Sequence, residues 1–179
     1  FGAMDSWSAR VWFLPDRHWS LQASAGHLKD AELRHVDEPR VDVDRITASA
    51  TYHRLIGKGG VWASTIGWGR NAEPSHDATN ALLAESTLTL RDRDTIYGRF
   101  ELGAKSSHDL DLPGDATFTV GKLAGGYTRF LANWAGLKPG IGAAASAAFV
   151  PSDLQTVYGS RVNAGVAIYV TLRPAAHGM

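Results

Sequence analysis

The feature that most constrains this chain is an alternation of apolar and polar residues with a period of two, repeated along most of its length. Trp7, Ala9, Val11 and Phe13 alternate with Ser6, Ser8, Arg10 and Trp12. Trp19, Leu21, Ala23 and Ala25 alternate with Ser20, Gln22, Ser24 and Gly26. The same rule runs through Arg45–His53, Trp62–Gly69, Leu82–Leu90, Ile96–Lys105, Lys138–Phe149 and Arg161–Arg173. Successive side chains of a strand point to opposite faces, so each segment reads as a strand with one apolar and one polar side. The stretch from Phe118 to Phe130 breaks phase near Lys122, which predicts a bulge there. No segment has a sustained helical period.

About nine strands of about ten residues follow, making up about half of the chain. Soluble globular proteins average about 20–25% strand, in strands of five or six residues. Roughly ten residues is what a tilted strand needs to cross a bilayer. The connections sharpen this. Short turns at Pro15–His18, Gly57–Gly60, Arg91–Asp94 and Asn133–Gly136 alternate with longer polar links at Leu28–Asp44, Asn71–Asn80, Ser106–Asp115 and Pro151–Ser160. A barrel spanning the outer membrane sorts its loops in this way, with tight turns on one side and free loops on the other. A soluble sandwich has no reason to do so. Aromatic residues near strand ends (Trp7, Trp19, Tyr52, Trp62, Trp68, Phe149) fit the girdles of such a barrel. The polar sides carry Arg, Lys, Glu, Thr and Gly, which suits a wet interior better than a dry one.

Composition removes other classes. The 18 Lys and Arg balance 18 Asp and Glu, so the chain lacks the basic excess of a nucleic-acid binder. With no cysteine, disulfide scaffolds, thiolate metal sites and cysteine nucleophiles are excluded. No apolar run approaches the ~20 residues of a spanning helix. Phe1–Met4 hold neither an initiating Met nor a basic and apolar leader, so the expectation is a mature or truncated piece.

The last strand, Asn163-Ala164-Gly165-Val166-Ala167-Ile168-Tyr169-Val170, looks like the C-terminal assembly signal of outer-membrane β-barrel proteins. Its carriers are the polar Asn163, Gly165 two residues on, and the alternating hydrophobics Ile168 and Val170. The whole chain resembles the C-terminal portion of a porin-like barrel of a Gram-negative bacterium. That resemblance implies an outer-membrane location, contact with membrane lipid and recognition by the barrel-assembly machinery. The chain departs from the pattern in running on through Arg173 to Met179 rather than stopping at an aromatic residue. With the C-terminus inside and about nine strands present, an even-stranded barrel predicts an odd number of strands upstream, in a ring of about 12–16.

Glu85, Arg99 and Glu101 are expected to share the polar interior, with Arg10, Arg45, His53, Lys105, Arg129 and Arg173 as further lining charges. Such charges either select ions and small polar solutes or simply pair with one another. Ser75-His76-Asp77 and Ser107-His108-Asp109 repeat a tripeptide. Consecutive residues cannot converge as a catalytic triad. His76, Asp77, His108 and Asp109 are weak metal-ligand candidates, against the plainer reading of solvated loops; His35 falls in the first long link and His27 at its edge. The charged run from Lys29 to Arg45 reads as a solvated loop, with a constriction or a partner site as the sharper options. No nucleophile and base have a distinctive spacing, though Ser49, Thr51 and His53 share a side. Gly57-Lys58-Gly59-Gly60 reads as a hairpin rather than a phosphate loop.

The expectation is one all-β domain over residues 1–179, an antiparallel up-and-down transmembrane barrel or part of one. It would pass small polar solutes or ions, without enzymatic activity, cofactor or nucleic-acid partner. A non-transport barrel, structural or with a lipid-acting site at its rim, is the second reading. A soluble β-barrel carrier is the third.

Overall fold

Nine strands follow one another in chain order, and every neighbour in sequence is a neighbour in space. In the computed structural model, which describes residues 5–32, 40–74 and 76–175, they are β1 (Trp7–Phe13), β2 (Trp19–Glu32), β3 (Val41–Ile56), β4 (Gly60–Glu73), β5 (His76–Leu90), β6 (Asp94–Ser106), β7 (Thr117–Phe130), β8 (Leu137–Phe149) and β9 (Val162–Pro174). All pairings are antiparallel within one up-and-down sheet. The sheet is not closed: β1 and β9 are its two edges. Beyond the strands there are short helical turns at His108–Leu110, Ser152–Leu154 and Gln155–Tyr158. Among the described residues no helix is long and apolar enough to cross a membrane.

The strands outrun their sequence-derived bounds, with 13 to 16 residues in every one from β2 to β9. The largest consequence falls on the link expected over Asn71–Asn80. β4 and β5 extend into it until Glu73 pairs with His76, past a register shift after Asn71. The polar residues there are ladder residues beyond the apolar band, so polarity alone gave a false loop boundary. The bulge expected near Lys122 is also absent. β7 pairs with β6 in unbroken register from Thr117 to Arg129, with Lys122 opposite Glu101. What breaks phase is chemistry, because the apolar Val120 and Phe118 lie on the polar side.

Directly opposed residues share a face, so the register resolves the sheet into rows. One side holds the row Leu21, Ala50, Ile66, Ala84, Phe100, Leu123, Ala147, Ala164. The adjacent row toward the long links is Ala23, Ala48, Trp68, Leu82, Leu102, Gly121, Phe149, Val162. Among the described residues no element packs against this apolar face. Val43, Phe130 and Leu154 are the only buried hydrophobic residues among those described. Val166 and Ile168, on edge strand β9, are 89% and 87% exposed.

The opposite face is the inside of the curl. Asp92, in the turn between β5 and β6, accepts hydrogen bonds from Lys138 at the start of β8 and from Arg173 at the end of β9. Strands lie about 4.8 Å apart, so β6 and β9 would be about 14 Å apart in a flat sheet. An arginine side chain that closes this gap does so along a chord, over a strongly curved concave surface.

Candidate functional site

The concave face is the candidate site, because here the sequence places charge and hydroxyl groups. Hydroxyls pair across strands on it: Ser24 with Thr47 at 2.7 Å, Thr51 with Thr65 at 3.1 Å, Thr89 with Thr95 at 2.9 Å. These bonds satisfy polar groups laterally and leave the wall hydrophilic.

Three of the expected lining charges come together. Glu85 on β5 stands opposite Arg99 on β6, with Arg99 Nη1 3.5 Å from Glu85 Oε2, while Arg99 Nε donates to Glu101 Oε1. One guanidinium thus lies between two carboxylates, and the trio keeps a surplus negative charge. Lys122 stands opposite Glu101 on the next strand. The remaining candidates are dispersed. Arg10, Arg45, His53, Lys105 and Arg173 share the concave side by register. Arg10 lies over the Trp12 ring at 5.6 Å, and Arg45 Nε donates to Asn71 Oδ1 at 2.8 Å. Arg129 is not among them. It lies on the apolar face in the outermost row, where its Nη1 donates to Asp94 at 2.9 Å, and Tyr127 donates to the same carboxylate oxygen at 2.5 Å. With no bulge in β7, Arg129 keeps the parity of Leu123 and Tyr127.

The face has two halves. Toward the short turns, aromatic rings lie flat against glycines of the neighbouring strand. A Cβ on Gly126 would stand 2.6 Å from the Tyr97 ring, one on Gly142 2.5 Å from the Tyr169 ring, and one on Gly140 2.9 Å from the Phe130 ring. Tyr169 also hydrogen-bonds Thr128 at 2.7 Å, and Arg173 stacks 3.9 Å from the Phe130 ring. Toward the long links the face carries Gly67, Gly69, Ala81, Gly103 and Ala148. A Cβ at Gly67, Gly69 or Gly103 would meet its nearest neighbour at only 3.7–3.8 Å. A cavity of about 820 Å³ lies in this second half, with Gln22, Ser49, Gly67, Glu101, Lys122 and Asn163 in its wall. A polar cavity of about 370 Å³ adjoins the loop end and includes Arg45, Glu73, Asp77, Lys105, His108 and Asp109.

The turn half is fastened by Asp92. Lys138 Nζ donates to both its carboxylate and its carbonyl oxygen, and Arg173 Nη2 does the same, at 3.0 Å for the carbonyl. The Asp92 amide donates to Gly59 O in the neighbouring turn. Asp92 adopts φ +53°, a left-handed conformation that Asp tolerates better than most residues, and Gly59 beside it has φ +67°. The Lys138 hydrogen bond, then the Arg173 charge, hold the Asp92 carboxyl below the usual carboxylate range. Neither Asp92 nor Lys138 stands out in sequence, where the first reads as turn punctuation and the second as one more lining lysine.

Among the described residues no group of three His, Asp or Glu side chains is placed to hold an ion, and the side chain of His76 lies outside them. Asp109 instead caps its own turn, accepting from Ser106 N at 3.1 Å and donating its amide to Ser106 Oγ at 3.1 Å. His27 lies 2.8 Å from Asp44 across β2 and β3. His35, Ser75 and residues 176–179 lie outside the described residues, as does the middle of the Lys29–Arg45 run. Thr51, near His53 on the concave side, is bonded to Thr65. No protein-family model, no curated protein and no solved structure matches this chain.

Proposed function

We propose that this chain is a membrane-spanning part of an outer-membrane β-barrel of a Gram-negative bacterium, whose concave face lines a passage for small polar solutes or ions. The observation that carries the reading is how charge is sorted on the apolar face. From the row of Trp62, Leu88, Ile96 and Tyr127 to the row of Trp68, Leu82 and Leu102, the charged residues Arg54, Arg70, Asp94 and Arg129 lie at or beyond the limits and never between them. Water would not demand that sorting; hydrocarbon does. On β9 the two rows are marked by Ile168 and Val162, and the uncharged apolar side runs on past the first of them, from Val162 to Leu172. Ten residue steps span about 33 Å along the strand, or about 25 Å of height at a tilt of about 40°. Trp19, Tyr52 and Trp62 stack in sequence at 5.0 and 5.4 Å near the turn end, where interfacial aromatics belong.

The open edges extend the reading. Unpaired backbone groups in hydrocarbon cost several kcal/mol each. β1 and β9 run in the same direction, being first and last of nine antiparallel strands. An all-antiparallel ring therefore needs an odd number of further strands. Asn163, Gly165, Ile168 and Val170 lie along the free β9 edge, with Ile168 and Val170 87% and 75% exposed, so assembly machinery can reach them. The concave wall, with Arg99 between Glu85 and Glu101, supplies the mixed field that a polar solute would meet.

The test is conductance of the natural full-length protein that contains this chain, refolded from detergent into a planar bilayer. Discrete steps that scale with salt, with an ion selectivity that changes on Glu85→Lys or Arg99→Glu, are the expected result. Silence from a verified folded, lipid-inserted protein would refute passage. Leu123→Arg tests the membrane premise separately. It lies at mid-band and should lower stability in lipid by about 2–4 kcal/mol; a near-neutral effect would return that face to water.

A further inference from the structure

Toward its short-turn end the concave face is crowded with rings and charged side chains, and one carboxylate lies among them. Four features converge there. The Tyr97, Tyr169 and Phe130 rings cover the wall of β7 and β8, each fitted against a glycine that leaves no room for a Cβ. Arg173 is stacked on Phe130 and turned toward Asp92. Lys138, with a side chain only 12% exposed, reaches the same carboxylate from β8. The Asp92 turn itself is tied to the Gly59 turn through its amide. The cavity of about 820 Å³ does not extend into this half; its lining stops short of Tyr97, Tyr169 and Asp92.

Strand pairing does not require this arrangement. The ladders joining β5 through β9 are complete without Asp92. What Asp92 adds is a link 46 and 81 residues away in sequence, across strands that are not neighbours. Two cations converge on one anion, and its carbonyl oxygen takes a second bond from each. If Asp92 is lost, Lys138 and Arg173, opposed on β8 and β9, are left as two cations with no anion between them, and the attraction that holds the turn to the β8–β9 wall is gone.

We propose that Asp92 is a latch that closes the short-turn end of the passage, with Lys138 and Arg173 as its catch. This rests on the reading of the concave face as a passage. In the latched form the interior is a trough open toward the long links and constricted at the other end. Release of Asp92 lets the 91–93 turn swing away from β8 and β9 and opens the constriction while the sheet ladders stay intact.

The experiment uses the natural full-length protein that contains this chain, refolded into lipid, in four forms: wild type, Asp92→Ala, Asp92→Asn, and Lys138→Gln combined with Arg173→Gln. The double variant removes the catch and leaves the latch residue, so the idea stays testable if Asp92→Ala folds poorly. Conductance is read for each. Spin labels at Arg91→Cys and Leu172→Cys report the separation of the turn from β9 by pulsed EPR; the chain has no other cysteine to label. The expected result is a several-fold rise in conductance for Asp92→Ala and for the double variant, a smaller rise for Asp92→Asn, and a label distance that lengthens and broadens in step. A lengthened distance with wild-type conductance would overturn the latch and leave the passage standing. An unchanged distance in Asp92→Ala would overturn it as well. Silence from wild type and all variants, each shown to be folded and inserted, would remove the passage itself and the latch with it.

Discussion

The two ends of this sheet are built from the same strands and held in different ways. At the short-turn end, contacts join elements that are not neighbours in the sheet. Asp92 ties the β5–β6 turn to β8 and β9. At the long-link end, His27 with Asp44 across β2 and β3 and Arg45 with Asn71 across β3 and β4 join strands already paired. Neighbour contacts repeat what the ladder already fixes. Only contacts between distant strands fix how tightly the ladder curls. Curvature is therefore set at the turn end, and the other end is free to stay wide, with Gly67, Gly69 and Gly103 lining it.

The largest effects should come from filling the two halves with the same methyl group. Gly142→Ala puts a Cβ 2.5 Å from the Tyr169 ring. The ring must leave, taking its 2.7 Å bond to Thr128 with it. Overpacking of this kind costs about 1–3 kcal/mol. Gly69→Ala meets nothing nearer than 3.8 Å and removes glycine freedom from the unfolded chain, so it should be neutral or stabilising by about 0.4–1 kcal/mol. Urea unfolding midpoints of the two variants in lipid measure both. Equal costs would mean that the halves are packed alike.

A smaller effect should follow pH. The Asp92 carboxyl is held low by the Lys138 hydrogen bond and the Arg173 charge. A depressed folded value contributes stability that is fully present above the ordinary carboxylate pKa of about 3.9. That contribution is lost as pH falls through the lower, folded value. Asp92 is 44% exposed, so solvent screening limits the contribution to about 1 kcal/mol. Wild type should exceed Asp92→Asn by that margin at pH 5–7, and the two should converge as pH falls through the lowered folded value. A gap that persists in strong acid would assign the difference to packing rather than charge.

The alternation and strand order were legible because period two is local and each segment declares its own faces; the strict alternation of short and long links was not, since the link read over Asn71–Asn80 closes at the Glu73–His76 pair. The Glu85, Arg99 and Glu101 cluster was legible for the same reason, since adjacent antiparallel strands bring it together. Arg129 was misplaced through one step of parity: a bulge inferred at Lys122 would have turned every later β7 side chain over. The Asp92 hub had no local signal at all. Arg91-Asp92-Arg93-Asp94 reads as a polar turn, and its partners are 46 and 81 residues downstream. A usable hint was the pairing of bulky Tyr169 with Gly142 and of Tyr97 with Gly126, which marks where rings lie across the wall.

The smallest effect belongs to the loop end, and it is the one that most directly tests the contrast. Arg45→Gln removes an exposed 2.8 Å bond to Asn71. The two residues are already opposed in the β3–β4 ladder, so the bond orders nothing that the backbone leaves loose. An exposed charged contact of this kind is worth about 0.5 kcal/mol or less. The unfolding midpoint of Arg45→Gln should therefore lie within error of wild type, and the Arg91–Leu172 label distance should not move. A loss as large as that of Asp92→Ala would show that the loop end also carries a fastening, and that curvature is shared between both ends of the sheet.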